Sequence, residues 1–375
     1  MVEGELAEGL AILVSVTGRS PSGGDALMLP GPTLKQLTQS LSVGARISVH
    51  RGKTTLVQDL PVQDVVLDAT SARTVRHQLS FTTTSDFVPT NPLDRVNNFG
   101  HRVHAWMVLE DLQGARFEVD LGWFLIEAWS ENPTAQTMEV QAVDLLRLVE
   151  TDVAAWPSSP PKNQRLRSEI QRLAGTTLAV VTTAPDTPVD PELQFQTDRL
   201  NNLTDLCLAY GLDYGMRPDG FLHVWPTRDT VVETYDATIL SAPRESVKRK
   251  PNRWLAVGSK TDGSGDKAEE TRWSFEAKNT AEPYGPDYGI VRDRIEVSSA
   301  TSQSMVTNAA NTQMKKDAKV FGFRSYEIVP DPRLELGDTA MFITEHDKTL
   351  GRVVAFSLPL DRPDGRQRVD VEIVG

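Results

Sequence analysis

The chain has 375 residues, 39% of them hydrophobic and 24% charged, a composition typical of a globular protein with two to four domains. Its formal net charge of −12 argues against a protein that grips nucleic acid, because phosphate binding needs clustered Lys and Arg. The single cysteine, Cys207, excludes an intrachain disulfide and a cysteine-based metal cluster.

Residues 1–44 are interpreted as an N-terminal extension and linker. The apolar run 10–16 could be a strand, but it is far shorter than the roughly 20 residues that span a bilayer, so no membrane anchor is expected. Glu3, Glu5 and Glu8 stand where a signal peptide carries positive charge, so no leader is expected. Because linker composition follows, we expect the strand to pack on a distant element, for example the sheet edge of a neighbouring subunit.

An all-β pattern predicts a first β-barrel domain over residues 45–155. Apolar residues alternate with polar ones, as Ile47 and Val49 do with their neighbours. Further strands are predicted at residues 75–81, 103–109, 117–129 and 138–143. A short helical piece, 144–149, ends this domain.

A linker rich in proline introduces an α/β module over residues 156–240. Residues 164–174 have the apolar periodicity of a helix, and Asp198 is a predicted N-cap for a second helix. A hairpin follows around the turn 218–220, whose Pro-Asp-Gly sequence favours a β-turn.

Residues 241–298 are predicted to form the first part of a second β-barrel domain, with strands near 254–258, 271–277 and 290–297. A helix is predicted over 299–322, capped by Ser299 or Thr301. Its apolar face is thin, so we expect it to lie on a surface or at a subunit boundary. Residues 323–375 are predicted to close the second barrel. The predicted fold class is therefore mainly β (α+β), with two small barrels bracketing an α/β module.

The segment before the last strands is predicted to turn a corner. Proline lacks the amide donor of a strand ladder and glycine suits positive φ, so Pro330, Pro332 and Gly337 forbid a continuous strand. A strand begins after Asp338 and a return strand covers 351–360. The candidate structural motif comprises Pro330, Asp331, Pro332, Leu334, Gly337 and Asp338.

This corner, with a long polar helix before it and a barrel strand after it, resembles the final domain of the tail hub proteins of tailed phages, the minor tail or baseplate hub proteins. In the first half, residues 71–76, 98–103, 121–126 and 140–144 are similar to the first barrel of that family. They supply, in order, a strand of basic and apolar residues, a glycine corner, a Leu-Gly-x-Phe sequence and an aspartate that leaves the barrel. The resemblance covers about residues 45–375.

The resemblance implies a structural virion protein at the tail tip, assembled in the host cytoplasm. Three copies would form a ring whose six barrels adapt the sixfold tail tube to a threefold tip, with the α/β module inserted between the two barrels of each copy. The implied partners are the chain itself as a homotrimer, the distal tail or tail tube protein, tip or receptor-binding proteins and the tape measure protein. DNA would pass through the channel without being specifically bound.

The chain lacks the common catalytic and phosphate-binding motifs, so no enzyme, cofactor or metal is expected. His101 and His104, three residues apart in a strand, should point to opposite faces. Residues 262–266 superficially resemble a calcium loop, but a simple hairpin loop is the better interpretation. Cys207 on an apolar helix face predicts a packed thiol, and the basic run 248–250 is interpreted as a solvated linker.

Two other functions stay open at this point. A tail-associated cell-wall or polysaccharide hydrolase would need carboxylates that converge from distant strands. A carbohydrate-binding tail module would use Trp123 or Trp129 as a sugar platform, although such residues in an alternating strand more often belong to a core or an interface.

Overall fold

The computed structural model describes residues 28–39, 41–227, 230–236, 238–243, 250–262, 269–281, 284–297, 300, 302–318 and 320–374. The apolar run 10–16, most of the calcium-like loop, the basic residues 248–249 and the predicted helix caps Ser299 and Thr301 lie outside these ranges. In the part of the chain that is described, no helix is both long and apolar enough to cross a membrane.

The described residues up to 144 form antiparallel strands that follow a short helix. These elements are α1 (Leu34–Leu37), β1 (Leu41–Arg51), β2 (Thr54–Val57), β3 (Gln63–Thr70), β4 (His77–Thr84), β5 (Arg102–Asp111), β6 (Arg116–Asn132) and β7 (Thr137–Asp144). The alternation of apolar and polar residues explains these strands. In β5, for example, Val103, Ala105 and Met107 are buried, and the residues between them are partly exposed. The strands predicted at 103–109, 117–129 and 138–143 are confirmed.

A smaller α/β unit follows, with a core of its own. Its elements are α2 (Leu146–Thr151), α3 (Leu166–Ala174), β8 (Val180–Thr182), α4 (Arg199–Ala209), β9 (Leu212–Met216) and β10 (Leu222–Pro226). The predicted N-cap is confirmed, because Asp198 Oδ1 accepts the Asn201 N–H at 3.0 Å. The predicted hairpin is confirmed as β9 and β10, and β8 joins β10 in parallel. Cys207 of α4 is buried in this core.

The last part of the chain contains nine strands and one long helix among the described residues. They are β11 (Val231–Tyr235), β12 (Ile239–Ser241), β13 (Arg253–Asp262), β14 (Glu269–Lys278), β15 (Arg292–Glu296), α5 (Gln303–Ala318), β16 (Val320–Ile328), β17 (Thr339–Ile343), β18 (Lys348–Pro359) and β19 (Gln367–Val374). Short 3-10 turns occur at Ser85–Phe87 and Pro286–Tyr288.

Strands from both ends of the chain share one large sheet with the order β12-β16-β19-β18-β3-β4-β7-β6-β5-β1-β2, and β17 pairs with both β18 and β11. The two halves meet at one seam, where Ala355 to Pro359 of β18 pair with Val66 to Thr70 of β3. The mainly β fold class is therefore confirmed.

No closed barrel occurs in the strand pairings of the described residues, in contrast to the two predicted barrels. Both halves nevertheless curl. The Leu60 N–H donates to the Ile47 carbonyl at 2.8 Å across the open side of the first half. In the second half, β11 and β12 lie at the two edges but follow each other in sequence, and the Ile239 N–H donates to the Asp236 carbonyl at 3.1 Å.

Strands β13, β14 and β15 pair with one another and not with the closing strands β16 to β19. Helix α5 covers their sheet, and Trp254 and Ala256 of β13 form a separate core with Val306 and Ala310 of α5. Contact is close, since a Cβ at Gly258 would lie 2.4 Å from the Ala300 Cβ. Periodicity finds the strands of this unit, but it does not reveal which strands they pair with.

Candidate functional site

The segment between β16 and β17, residues 329–338, is here called the corner loop. All six residues of the candidate motif lie in it, and Asp331, Pro332, Leu334 and Asp338 are buried. Gly337 has φ +85°, the left-handed conformation that favours glycine. A Cβ at Gly337 would also lie 2.9 Å from the Asp213 Oδ2, so a larger residue would press against the α/β unit.

Asp331 is the fully buried centre of a hydrogen-bond network. Its carboxylate accepts the Arg333 Nε–H and Nη2–H at 2.9 and 2.7 Å and the Tyr235 hydroxyl at 3.0 Å. The Asp331 N–H donates to Gln367 Oε1 at 2.7 Å. Because a buried carboxylate is tolerated only when it is paired and hydrogen-bonded, this network holds the corner loop to β11 and β19 at once.

Arg333 extends that network. Its Nη2 lies 3.2 Å from a carboxylate oxygen of Glu233 in β11, and its carbonyl accepts the Leu29 N–H at 3.2 Å. Gly31 packs against the same side chain, since a Cβ there would be 2.9 Å from the Arg333 Cγ. The corner loop therefore anchors residues 29–31 as well as the second half of the sheet.

Stacked aromatic rings pack in the core beside the corner loop. The ring centroid of Phe342 lies 4.3 Å from that of Tyr326 and 5.3 Å from that of Tyr235, with nearly parallel planes. Leu334 packs into the same core. The loop thus has both polar and apolar attachment to the rest of the molecule.

Asp338 lies in the same loop as Asp331, but its surroundings shift its pKa. It is 8% exposed, and burial raises its pKa to about 8, although the nearby Arg217 opposes that rise. Its Oδ2 accepts the Glu335 N–H at 2.9 Å. Glu335 is in turn ion-paired with Arg217, whose guanidinium lies 4.8 Å from the Trp225 ring centroid.

An open cleft of about 660 Å³ lies beside Asp338. It is bounded by the corner loop, the hairpin β9–β10, β11 and residues 28–30. Asp213, Asp219 and His223 also line it, with His223 Nε2 2.8 Å from Asp219 Oδ2. A carboxyl group that keeps its proton near neutral pH in a cleft can act as an acid or as a hydrogen-bond donor.

Asp144 plays the corresponding structural part in the first half. Its Oδ2 accepts the Arg76 and His77 N–H groups at 3.0 and 2.9 Å, and its Oδ1 accepts the Leu146 N–H at 2.9 Å. It therefore fastens β4 to β7 and begins α2. The Arg76 guanidinium continues to Asp213 at 2.9 Å, which ties the first half to the α/β unit.

The two close histidines do point to opposite faces. His101 is buried, with Nδ1 3.0 Å from the Asn97 carbonyl, and His104 lies 2.7 Å from Asp120. Across the described residues, no group of three or more His, Cys, Asp or Glu side chains could hold a metal ion. The packed thiol is confirmed, because Cys207 is only 1% exposed. This burial raises the pKa of the thiol to about 12.

The two candidate sugar-platform tryptophans differ in their surroundings. Trp123 is stacked on His104 with ring centroids 4.2 Å apart, and a Cβ at Gly220 would lie 3.3 Å from the Trp123 Cδ1. Its ring therefore offers little surface to a ligand. Trp129 borders an open pocket instead.

The local sequence predicts the corner loop but not the residues that hold it. Tyr235 and Gln367 are 96 and 36 residues away from Asp331, and no local pattern marks them as its partners. For Arg217 and Asp213 the sequence predicts only a place in the hairpin around residues 218–220.

Together the fold and the corner loop define a mainly β scaffold whose interior polar residues connect structural units. Three solved structures have a similar fold: a tail protein from Neisseria meningitidis MC58, the 43 kDa tail protein of prophage MuSo2 from Shewanella oneidensis, and the prophage tail protein gp18 from Listeria monocytogenes EGD-e. Their TM-scores are 0.58, 0.57 and 0.51, and their sequence identities to this chain are 12%, 10% and 10%.

The three alignments cover 88%, 87% and 87% of this chain and 96%, 98% and 94% of the respective proteins. No protein-family model matches the sequence, and a search of curated proteins found no match. The chain therefore has the fold of phage tail proteins.

Proposed function

We propose that this protein is a structural virion component, the homotrimeric hub of a phage tail tip or baseplate. The observation that carries the proposal is the fold shared with three tail proteins over nearly the whole chain. In this role the protein belongs to the tail tip of the virion, is assembled in the host cytoplasm and has no enzymatic activity. Pro330, Asp331, Pro332, Leu334, Gly337 and Asp338 then serve a structural purpose.

In the proposed ring, each copy contributes two curled β units, and three copies place six such units around a channel. The seam between β3 and β18 supports this arrangement, because it fixes the two units of one copy relative to each other. A threefold tip could then dock on a sixfold tube. The proposed neighbours are the distal tail or tail tube protein, tip or receptor-binding proteins and the tape measure protein.

The charge of the chain supports passage of DNA without specific binding. A net charge of −12 repels phosphates, so DNA would not adhere to the wall of the channel.

Electron microscopy and a mass measurement test the hub proposal. We expect a threefold particle with a central hole and three times the 41.4 kDa mass of one chain. Since some assembly proteins form rings only with a partner, the same imaging is applied to tail particles. A monomer in solution together with the absence of a ring on the tail axis would contradict the proposal.

One observation favours a second candidate function, a tail-associated cell-wall or polysaccharide hydrolase. Asp338, with its pKa raised to about 8, borders an open cleft with Asp213 and Asp219. The test is the turbidity of host cell walls incubated with the purified protein. The hydrolase is favoured if the turbidity falls with the unsubstituted protein and with the exposed control Asp59→Asn, but not with Asp338→Asn. If the turbidity stays constant with the unsubstituted protein, the hydrolase function is excluded.

A further inference from the structure

A second open pocket lies far from the corner loop in sequence, where the loop before β5 meets β6. It has a volume of about 420 Å³. Pro89, Phe99 and Trp129 supply its apolar surface, and Asn91 and Asn98 supply amide groups. None of the residues that line it is charged.

The pocket is held in shape by one buried amide. Asn97 is 4% exposed, and its Oδ1 accepts the Trp129 Nε1–H at 3.3 Å and the Asn98 N–H at 2.8 Å. Its Nδ2 donates to the Asn91 carbonyl at 2.9 Å. The loop on one side and Trp129 on the other are therefore fixed to the same side chain.

The loop that forms one side of the pocket is also stabilised by hydrogen bonds within itself. The Asp94 carboxylate accepts the Thr90 and Asn91 N–H groups at 2.6 and 2.8 Å. These bonds lower the pKa of Asp94, so it stays ionised and holds the turn at neutral pH. A pocket already formed in the free protein loses less entropy when a ligand binds.

We propose that this pocket binds a neutral sugar unit of a glycan. Phe99 is 61% exposed, so its ring is available to a ligand that enters the pocket. The C–H faces of a sugar ring pack on aromatic surface, and amides both donate to and accept from its hydroxyl groups. A charged ligand would be desolvated there without a countercharge in the lining. The proposal does not depend on the oligomeric state of the chain.

Binding to a glycan array of neutral and anionic oligosaccharides, followed by saturation-transfer NMR on the hits, tests the proposal. We expect neutral saccharides to bind and Phe99→Ala to weaken binding about tenfold, the factor that corresponds to about 1.4 kcal/mol. Leu93→Ala is the matched control, because Leu93 is 62% exposed on the same loop but does not line the pocket.

Three results would overturn the proposal: no neutral saccharide bound at millimolar concentration, binding of anionic glycans alone, or equal loss of binding in both variants. The last result would indicate that either substitution disturbs the loop as a whole and that Phe99 makes no specific contact with the sugar. Trp129→Phe offers an independent readout, since a sugar-dependent change in tryptophan fluorescence should disappear in a variant that melts at the same temperature.

Discussion

Asp338 retains a proton at pH values at which most aspartates have lost theirs. Burial raises its pKa to about 8, compared with about 3.9 for the same group in an unfolded chain. Between these two values the folded chain holds a proton that the unfolded chain has released. The contribution of Asp338 to the free energy of unfolding therefore falls as the pH rises from about 4 to about 8.

Asparagine does not titrate, so replacing Asp338 by asparagine should remove the loss of stability that Asp338 causes as the pH rises. The amide oxygen of Asp338→Asn can still accept the Glu335 N–H, so we expect the variant to exceed the unsubstituted chain in stability at pH 8 by a few kcal/mol, on the order set by linkage. Urea unfolding at pH 5, 6.5 and 8 measures the difference, with Asp59→Asn as an exposed control. An identical pH dependence in all three chains would show that Asp338 is not protonated in the fold.

Cys207 and Asp331 show how burial acts on single side chains in different ways. Cys207 is neutral and packed, which its place on an apolar helix face made predictable. The buried Asp331 carboxylate accepts four hydrogen bonds, three from Arg333, two residues away, and one from Tyr235 in the distant strand β11. A residue's own burial can be anticipated from local pattern, but its partners in distant elements depend on the tertiary structure.

The corner loop is the element whose backbone was best predicted. Pro330, Pro332 and Gly337 restrict the backbone conformation of their own positions. The break between β16 and β17 can therefore be predicted from the sequence. The strands β1 to β7 are equally predictable, because the alternation of apolar and polar residues is a local pattern. The pairing partners of β11 and β12 are not predictable, since they lie about a hundred residues away in β17 and β16.

A glycine substitution tests the importance of that backbone. Gly337→Ala would require a positive φ from alanine and place a Cβ near Asp213, so we expect a loss of about 1–3 kcal/mol in the free energy of unfolding. Gly44→Ala in β1 is the control, because no atom lies within 4 Å of the added Cβ. Denaturant unfolding measures the difference. An equal loss in the free energy of unfolding in both variants would argue against a strained turn at Gly337.

At the scale of the whole molecule, the unit built from β13, β14, β15 and α5 is the smallest with a separate core. Only six described residues form its buried centre, so its local free energy of unfolding should be lower than that of the large sheet. We expect amides of β13 and β14 to exchange with deuterium sooner than those of β3 and β18 in mass-spectrometric measurements. Exchange at one common rate would show that the units open together.

The seam between β3 and β18 has a mechanical consequence. Antiparallel hydrogen bonds run across the strands, so a pull along the strand axes strains all the bonds of the five paired positions simultaneously. A pull at right angles would break them one after another. The joint should thus resist tension in one direction far better than in the other, and the two halves could bear load along the strands without separating.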